Sequence, residues 1–261
     1  MLVLSFLFVV RTAAAQVTFD AATTQQCGNN GPTACTVSNT TITVAHTTGA
    51  GSNRAMTVGV FIACASGQTA PLVATATYAT TQVLSQIQHT VPNVSRVGDL
   101  WALPAGTQPT SGANNLVVVM TGDIATACST GTSTLSVAII TTAGVDQTTT
   151  FTSSGVNSGT GTAATLTLGA SGASDLGVSY VCAGDGVTST TETERGPKIT
   201  NQNNSCGTID SATAAAADTS LSWTIPSDTW IVTGGALKAV GAAGSTACRN
   251  LLLLGVGGAC S

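Results

Sequence analysis

The sequence predicts an all-β protein, an antiparallel β-sandwich of the jelly-roll kind stapled by disulfides. Three observations carry this. Short apolar stretches with a two-residue period recur at intervals of about ten residues, separated by Gly, Pro, Asn and Ser turn signals. Thr and Ala lead the composition, and no segment of convincing length has a helical period; Thr favours a pleated, half-buried surface. Eight cysteines are present, none in a C-x-x-C pair. A chain of 261 residues is long enough to bury a substantial core.

Taken in order, residues 1–10 (MLVLSFLFVV) form an unbroken apolar run, followed by Arg11 and by small residues ending at Ala15. This reads as a secretory signal peptide cleaved before Gln16, although no Lys or Arg precedes the apolar run. The competing reading retains the segment as a donor strand. Ten apolar residues are too few to cross a hydrocarbon core of ~30 Å as a helix. Residues 17–21 (VTFDA) predict a first short strand, and Gly28-Asn29-Asn30-Gly31-Pro32 a turn. Residues 36–47 alternate, with His46 on the apolar register as a packed or edge histidine.

The clearest strand is 55–64. Met56, Val58, Val60 and Ile62 share one side and Thr57, Gly59 and Phe61 the other, which predicts full burial of the first face and partial burial of the second. Further strands are expected at 72–78, 82–88, 93–103, 115–121, 134–142, 164–168, 175–182, 221–225 and 230–238. Residues 148–161 read as a polar connection. Residues 184–205, with no apolar pattern, read as an extended loop. The domain organisation expected is 1–15 as leader or donor strand, 16–247 as the sandwich, and 248–261 as an apolar terminal strand.

The long, irregular gaps between cysteines and the presence of only two histidines, His46 and His89, do not fit a zinc site, which needs close ligand pairs. The cysteines point instead to a disulfide framework and an oxidising compartment. The simplest connectivity is sequential: Cys27–Cys35, Cys64–Cys128, Cys182–Cys206 and Cys248–Cys260.

Charged residues make up only 7% of the chain, against roughly 25% in ordinary domains. The seven basic residues are scattered, which excludes the basic stripe of a nucleic-acid binder. No G-x-S-x-G elbow is present, two histidines leave little for a triad, and the even cysteine count argues against a free thiol nucleophile. Glu192 and Glu194 are the only closely spaced acidic pair for a glycosidase, and they stand in a Thr-rich segment that does not suggest a cleft. The acidic residues of 184–205 lack a D-x-D-x-D calcium spacing. No catalytic, metal-binding or cofactor-binding residue is therefore assigned. Three N-glycosylation sequons begin at Asn39, Asn93 and Asn203. Trp101, Trp223, Trp230, Tyr78 and Tyr180 are candidates for a sugar-stacking platform, each in an apolar context that favours core packing.

The stretches GSNRAMTVGV at 51–60, DLWALPAGT at 99–107, NNLVVVMTG at 114–122 and AGVDQTTTF at 143–151 carry a resemblance. Across residues 17–240 the chain resembles secreted bacterial and environmental jelly-roll-like proteins, and it is similar to protomers of glycosylated extracellular fibrils. The resemblance implies a structural homopolymer, its copies joined head to tail by strand addition, and covalent glycans. The preferred donor is the segment before Cys27, and the second is 248–261. A secreted carbohydrate-binding or adhesive module is the alternative.

Overall fold

The structure is a computed structural model that describes residues 16–28, 40–128, 133–169, 171–184, 186–200, 208–215 and 220–241. In chain order the strands are β1 (Thr18–Gly28), β2 (Thr41–Thr48), β3 (Ala55–Ala63), β4 (Val73–Tyr78), β5 (Gln82–Val83), β6 (Ser85–Asn93), β7 (Arg96–Ala102) and β8 (Gly112–Met120). A four-residue helix α1 (Ile124–Ala127) follows, capped by the Asp123 side chain. Then come β9 (Thr134–Ala143), β10 (Phe151–Thr167), β11 (Leu176–Ala183), β12 (Ser189–Thr190), β13 (Thr193–Thr200), β14 (Thr208–Ala215) and β15 (Ser220–Leu237).

The antiparallel sandwich expected from the sequence is present, and it has three sheets. The central sheet runs β1-β9-β3-β7-β6. A four-stranded sheet, β2-β8-β4-β5, covers one of its faces, and a long sheet, β10-β15-β11-β14-β13, covers the other. Side-chain alternation builds the layers. Met56, Val58, Val60 and Ile62 of β3 join Val137 and Ile139 of β9 against Ile42, Val44, Leu116 and Val118 of the four-stranded sheet. Phe61 of β3 and Ile140 of β9 point the other way, against Val178, Tyr180 and Ile231 of the long sheet.

This corrects the expectation for β3, which is buried at every position rather than on one face and part of the other. The reason lies in the partner layer. The Tyr180 ring lies over Gly59, where a Cβ would stand 2.6 Å from Tyr180 Cγ. The Tyr180 hydroxyl shares a 2.6 Å hydrogen bond with Thr57 Oγ1, and burial pushes its phenol well above the ordinary range.

Other segments also depart from expectation. Residues 148–161 are not a connection, because β10 begins at Phe151 and pairs with β15 along its whole length. Its Ser, Gly and Thr content concealed it. Gly159 lies opposite Trp230, and a Cβ there would meet Trp230 Cζ2 at 2.8 Å, so the glycine makes room for the indole. The two closing strands expected at 221–225 and 230–238 are one strand, β15.

The β10–β15 ribbon folds back on itself. Its pairing shifts between Gly161 and Ala163, and Gly161 has φ 143, a conformation open to glycine. Beyond the bend Leu166 packs on Gly155 and Gly234, a cross-strand pair from the ribbon's own first half. Leu221, Trp223 and Ile225 thereby cover Val181, Ala183, Val232 and Trp230 on the outer face of the long sheet.

The loop expected at 184–205 contains β12 and β13, two polar strands held by main-chain pairing to β15 and β14. The first strand runs to Gly28 rather than stopping at Ala21. β14 had no counterpart in the sequence reading.

Candidate functional site

Of the eight cysteines, Cys64 and Cys128 form a disulfide, with Cα atoms 4.8 Å apart across a sequence separation of 64. Cys27 and Cys182 are also disulfide-bonded. Their expected partners Cys35 and Cys206, and the pair Cys248 and Cys260, lie outside the described residues. So do Asn39 and Asn203. Asn93 is exposed at the end of β6, where its Oδ1 accepts from the Ser95 amide at 3.1 Å and the Ser95 hydroxyl at 2.7 Å.

The candidate sugar platform is absent as a surface: Trp101, Trp223, Trp230, Tyr78 and Tyr180 are all buried. Glu192 accepts from the Ser222 amide at 2.8 Å, and Glu194 pairs with Lys198 at 3.1 Å. Each carboxylate is thus engaged in a local structural contact. Among the described residues, no group of three or more His, Cys, Asp or Glu side chains is placed to hold a metal ion. No helix among them is long and apolar enough to cross a membrane.

The two histidines meet different fates. His89 of β6 lies opposite Asp99 of β7, with Nδ1 2.6 Å from Asp99 Oδ1. Asp99 is fully buried, and burial pushes its carboxyl upward against the opposing pull of His89. This pair ties an edge strand to its neighbour.

His46 stands at the centre of a polar constellation that joins three strands. It is 2% exposed, at a junction of the central and four-stranded sheets. Its Nδ1 lies 2.9 Å from Thr23 Oγ1 of β1, and its Nε2 lies 3.2 Å from Thr141 Oγ1 of β9. Thr141 Oγ1 donates in turn to Asp20 Oδ2 at 3.0 Å, and the Gly49 amide donates to the same oxygen at 2.9 Å. These partners define the tautomer. Thr141 spends its proton on the carboxylate, so it accepts from His46 Nε2–H. Nδ1 is then bare and accepts from the Thr23 hydroxyl.

Asp20 and Thr23 are three residues apart and would point to opposite faces of a regular strand. The register shift between Phe19 and Ala21 supplies an extra residue, which brings both side chains to the same cluster. A cleft of about 660 Å³ opens beside it, walled by Ala21, Thr23, Thr47, Thr80, Asn114 and Asn115.

A hydroxyl on a histidine that is backed, through a second hydroxyl, by a carboxylate approaches the connectivity of a nucleophile and its base. The electrostatics oppose that use. Burial lowers His46 to about 4, only partly countered by Asp20. A base that weak does not draw a proton from threonine near neutral pH. The cluster is suited to holding β1 in place.

The sequence reading placed His46 correctly as a packed histidine but missed Asp20, Thr23 and Thr141. The single faint signal was Asp20, a charge interrupting an otherwise uncharged Thr/Ala strand. No family model, curated protein or solved structure matches the chain.

Proposed function

We propose that this protein is a structural subunit of an extracellular fibril or surface assembly, its copies joined head to tail by strand addition. The observation that carries this reading is the character of β1. Among the described residues it is an edge strand of the central sheet, paired only with β9, from Thr18↔Ala143 to Gly28↔Thr134. It is anchored mainly by main-chain bonds and polar side chains, with only Cys27 fully inside an apolar cluster and Phe19 and Ala22 partly buried. Beneath it, β9 is buried from Thr134 to Thr142. Such an edge has to be covered, and β1 is an element that one copy can lend to another. A head-to-tail contact that does not close propagates as a filament.

The low charge and paired cysteines suit a secreted, oxidised protein whose solubility comes from Thr, Asn and attached sugars. Asn93 is an exposed acceptor for N-linked glycans. A carbohydrate-binding module is the weaker reading, since no Trp or Tyr offers a face for stacking.

The test is removal of the segment before Cys27. The truncated protein is expected to give no filaments by electron microscopy, and to bind a synthetic peptide of residues 16–26. Filaments of unchanged appearance after the deletion overturn the proposal.

A further inference from the structure

We propose that the chain Thr23–His46–Thr141–Asp20 is a proton-sensitive latch on β1, and that the slot it closes, the edge of β9 beside β2, receives the β1 of a second copy when the latch opens. The second half rests on the strand-addition reading; the latch itself does not.

The geometry is specific for this strand. The slot offers His46 Nδ1 as an acceptor, and Thr141 Oγ1 and the Gly49 amide as donors. An occupant must present a hydroxyl and a carboxylate three residues apart on the same side, which requires a bulge between them. β1 meets that requirement with Thr23, Asp20 and the shift at Phe19/Ala21. It must also carry small residues next to the carboxylate, where Ala21 and Ala22 line the cleft. A slip of two residues would keep the strand pairing and lose both side-chain bonds. The latch therefore reads register as well as identity, and the partner it selects is another copy of this chain. Cys27, at the far end of β1, is disulfide-bonded, so the strand peels from Thr18 toward Cys27.

The proton sensitivity follows from what surrounds the ring. The titratable groups facing His46 are Asp20 on β1 and Tyr78 on β4, whose ring lies 6.4 Å away edge-on. Thr23 and Thr141 complete the shell. A second proton on the ring puts a cation in a site that is 2% exposed, and it turns the Nδ1 acceptor into a donor facing a hydroxyl that had been donating. The closed latch holds the ring neutral, with its value lowered to about 4 from an ordinary 6.5. The open state therefore binds more protons between those values. The latch is tight above pH 6.5 and weakens as pH falls toward 4. If opening frees the ring fully, the opening equilibrium rises by about 100-fold across that window.

Hydrogen exchange on the full chain, followed by mass spectrometry from pH 7 to pH 4 and corrected for chemical exchange, reads this directly. The amides of 18–26 are expected to lose protection by up to about 100-fold relative to those of β3, and His46→Gln is expected to abolish the pH response. Should that variant fail to fold, Thr23→Val carries the test, with an opening about 5-fold greater at pH 7 and confined to β1. A flat response of β1 in the wild type, an unchanged response in His46→Gln, or no loosening in Thr23→Val overturns the latch. Isotope-labelled and unlabelled chains, mixed at pH 4 and returned to pH 7, are then expected to give mixed oligomers by native mass spectrometry. An open latch without such oligomers overturns the second-copy slot and the strand-addition reading, and leaves the latch standing.

Discussion

Replacing Gly59 with alanine sets one methyl group against the contact that joins the central sheet to the long one. The added Cβ would lie 2.6, 2.7 and 3.1 Å from Cγ, Cβ and Cδ1 of Tyr180. An ordinary carbon–carbon contact is about 3.5–4 Å, so the two sheets must part locally, or the ring must retreat, by about 1 Å. The atoms struck are at the root of the side chain, so a χ rotation does not relieve them. Retreat also stretches the 2.6 Å bond between the Tyr180 and Thr57 hydroxyls, both buried. Overpacking of this kind costs about 1–3 kcal/mol, and a weakened buried hydrogen bond about 1 more, for a total of about 2–4 kcal/mol. Equilibrium unfolding in urea measures it. The double variant Gly59→Ala/Tyr180→Ala supplies the control, because Tyr180→Ala opens the space that the methyl group needs. The pair is expected to be less destabilised than the sum of the singles by at least about 1 kcal/mol. A Gly59→Ala protein within about 0.5 kcal/mol of wild type, or strict additivity in the pair, refutes this account of how the layers meet.

Three further outcomes are expected. Replacing both Cys64 and Cys128 with alanine frees a loop with a sequence separation of 64 and should lower stability by about 4 kcal/mol on the chain-entropy estimate; a loss under about 1 kcal/mol in urea denaturation contradicts the framework role. All three Trp are buried, so fluorescence of the native protein should be blue-shifted and resistant to acrylamide, and quenching like that of free tryptophan refutes their placement. Secreted from a host that glycosylates N-x-S/T sequons, the protein should carry a glycan at Asn93, read as one glycan mass lost by intact-mass measurement of Asn93→Gln; an unchanged mass excludes that site.

The sequence was most legible where one strand carries its own pattern. β3, β8 and β9 announce themselves because apolar side chains at alternate positions need no knowledge of their neighbours. It was least legible where a strand exists on account of its partner. The Gly- and Ser-rich start of β10 has no alternating apolar pattern, yet it pairs along β15 and makes room for Trp230 at Gly159. β13 likewise presents Thr, Glu, Arg and Lys, and forms because β14 offers a main-chain edge. The candidate site falls in this second class. Asp20, Thr23, His46 and Thr141 come from three strands in two sheets, and no spacing along the chain links them.

Residue order alone determined the class of this protein. The two-residue period and the Thr-rich, charge-poor composition point to β-sheets, because each acts through local geometry or bulk solvation. Tertiary structure decided how many sheets there are, which faces they bury and where polar groups gather. Gly59 reads as a weak point in a strand until Tyr180 is laid across it. Asp20 has no evident role in the sequence, and a single extra residue in β1 turns it toward Thr141, which bonds the buried ring of His46. Both outcomes depend on contacts between residues more than a hundred positions apart in sequence, which close only when the layers stack.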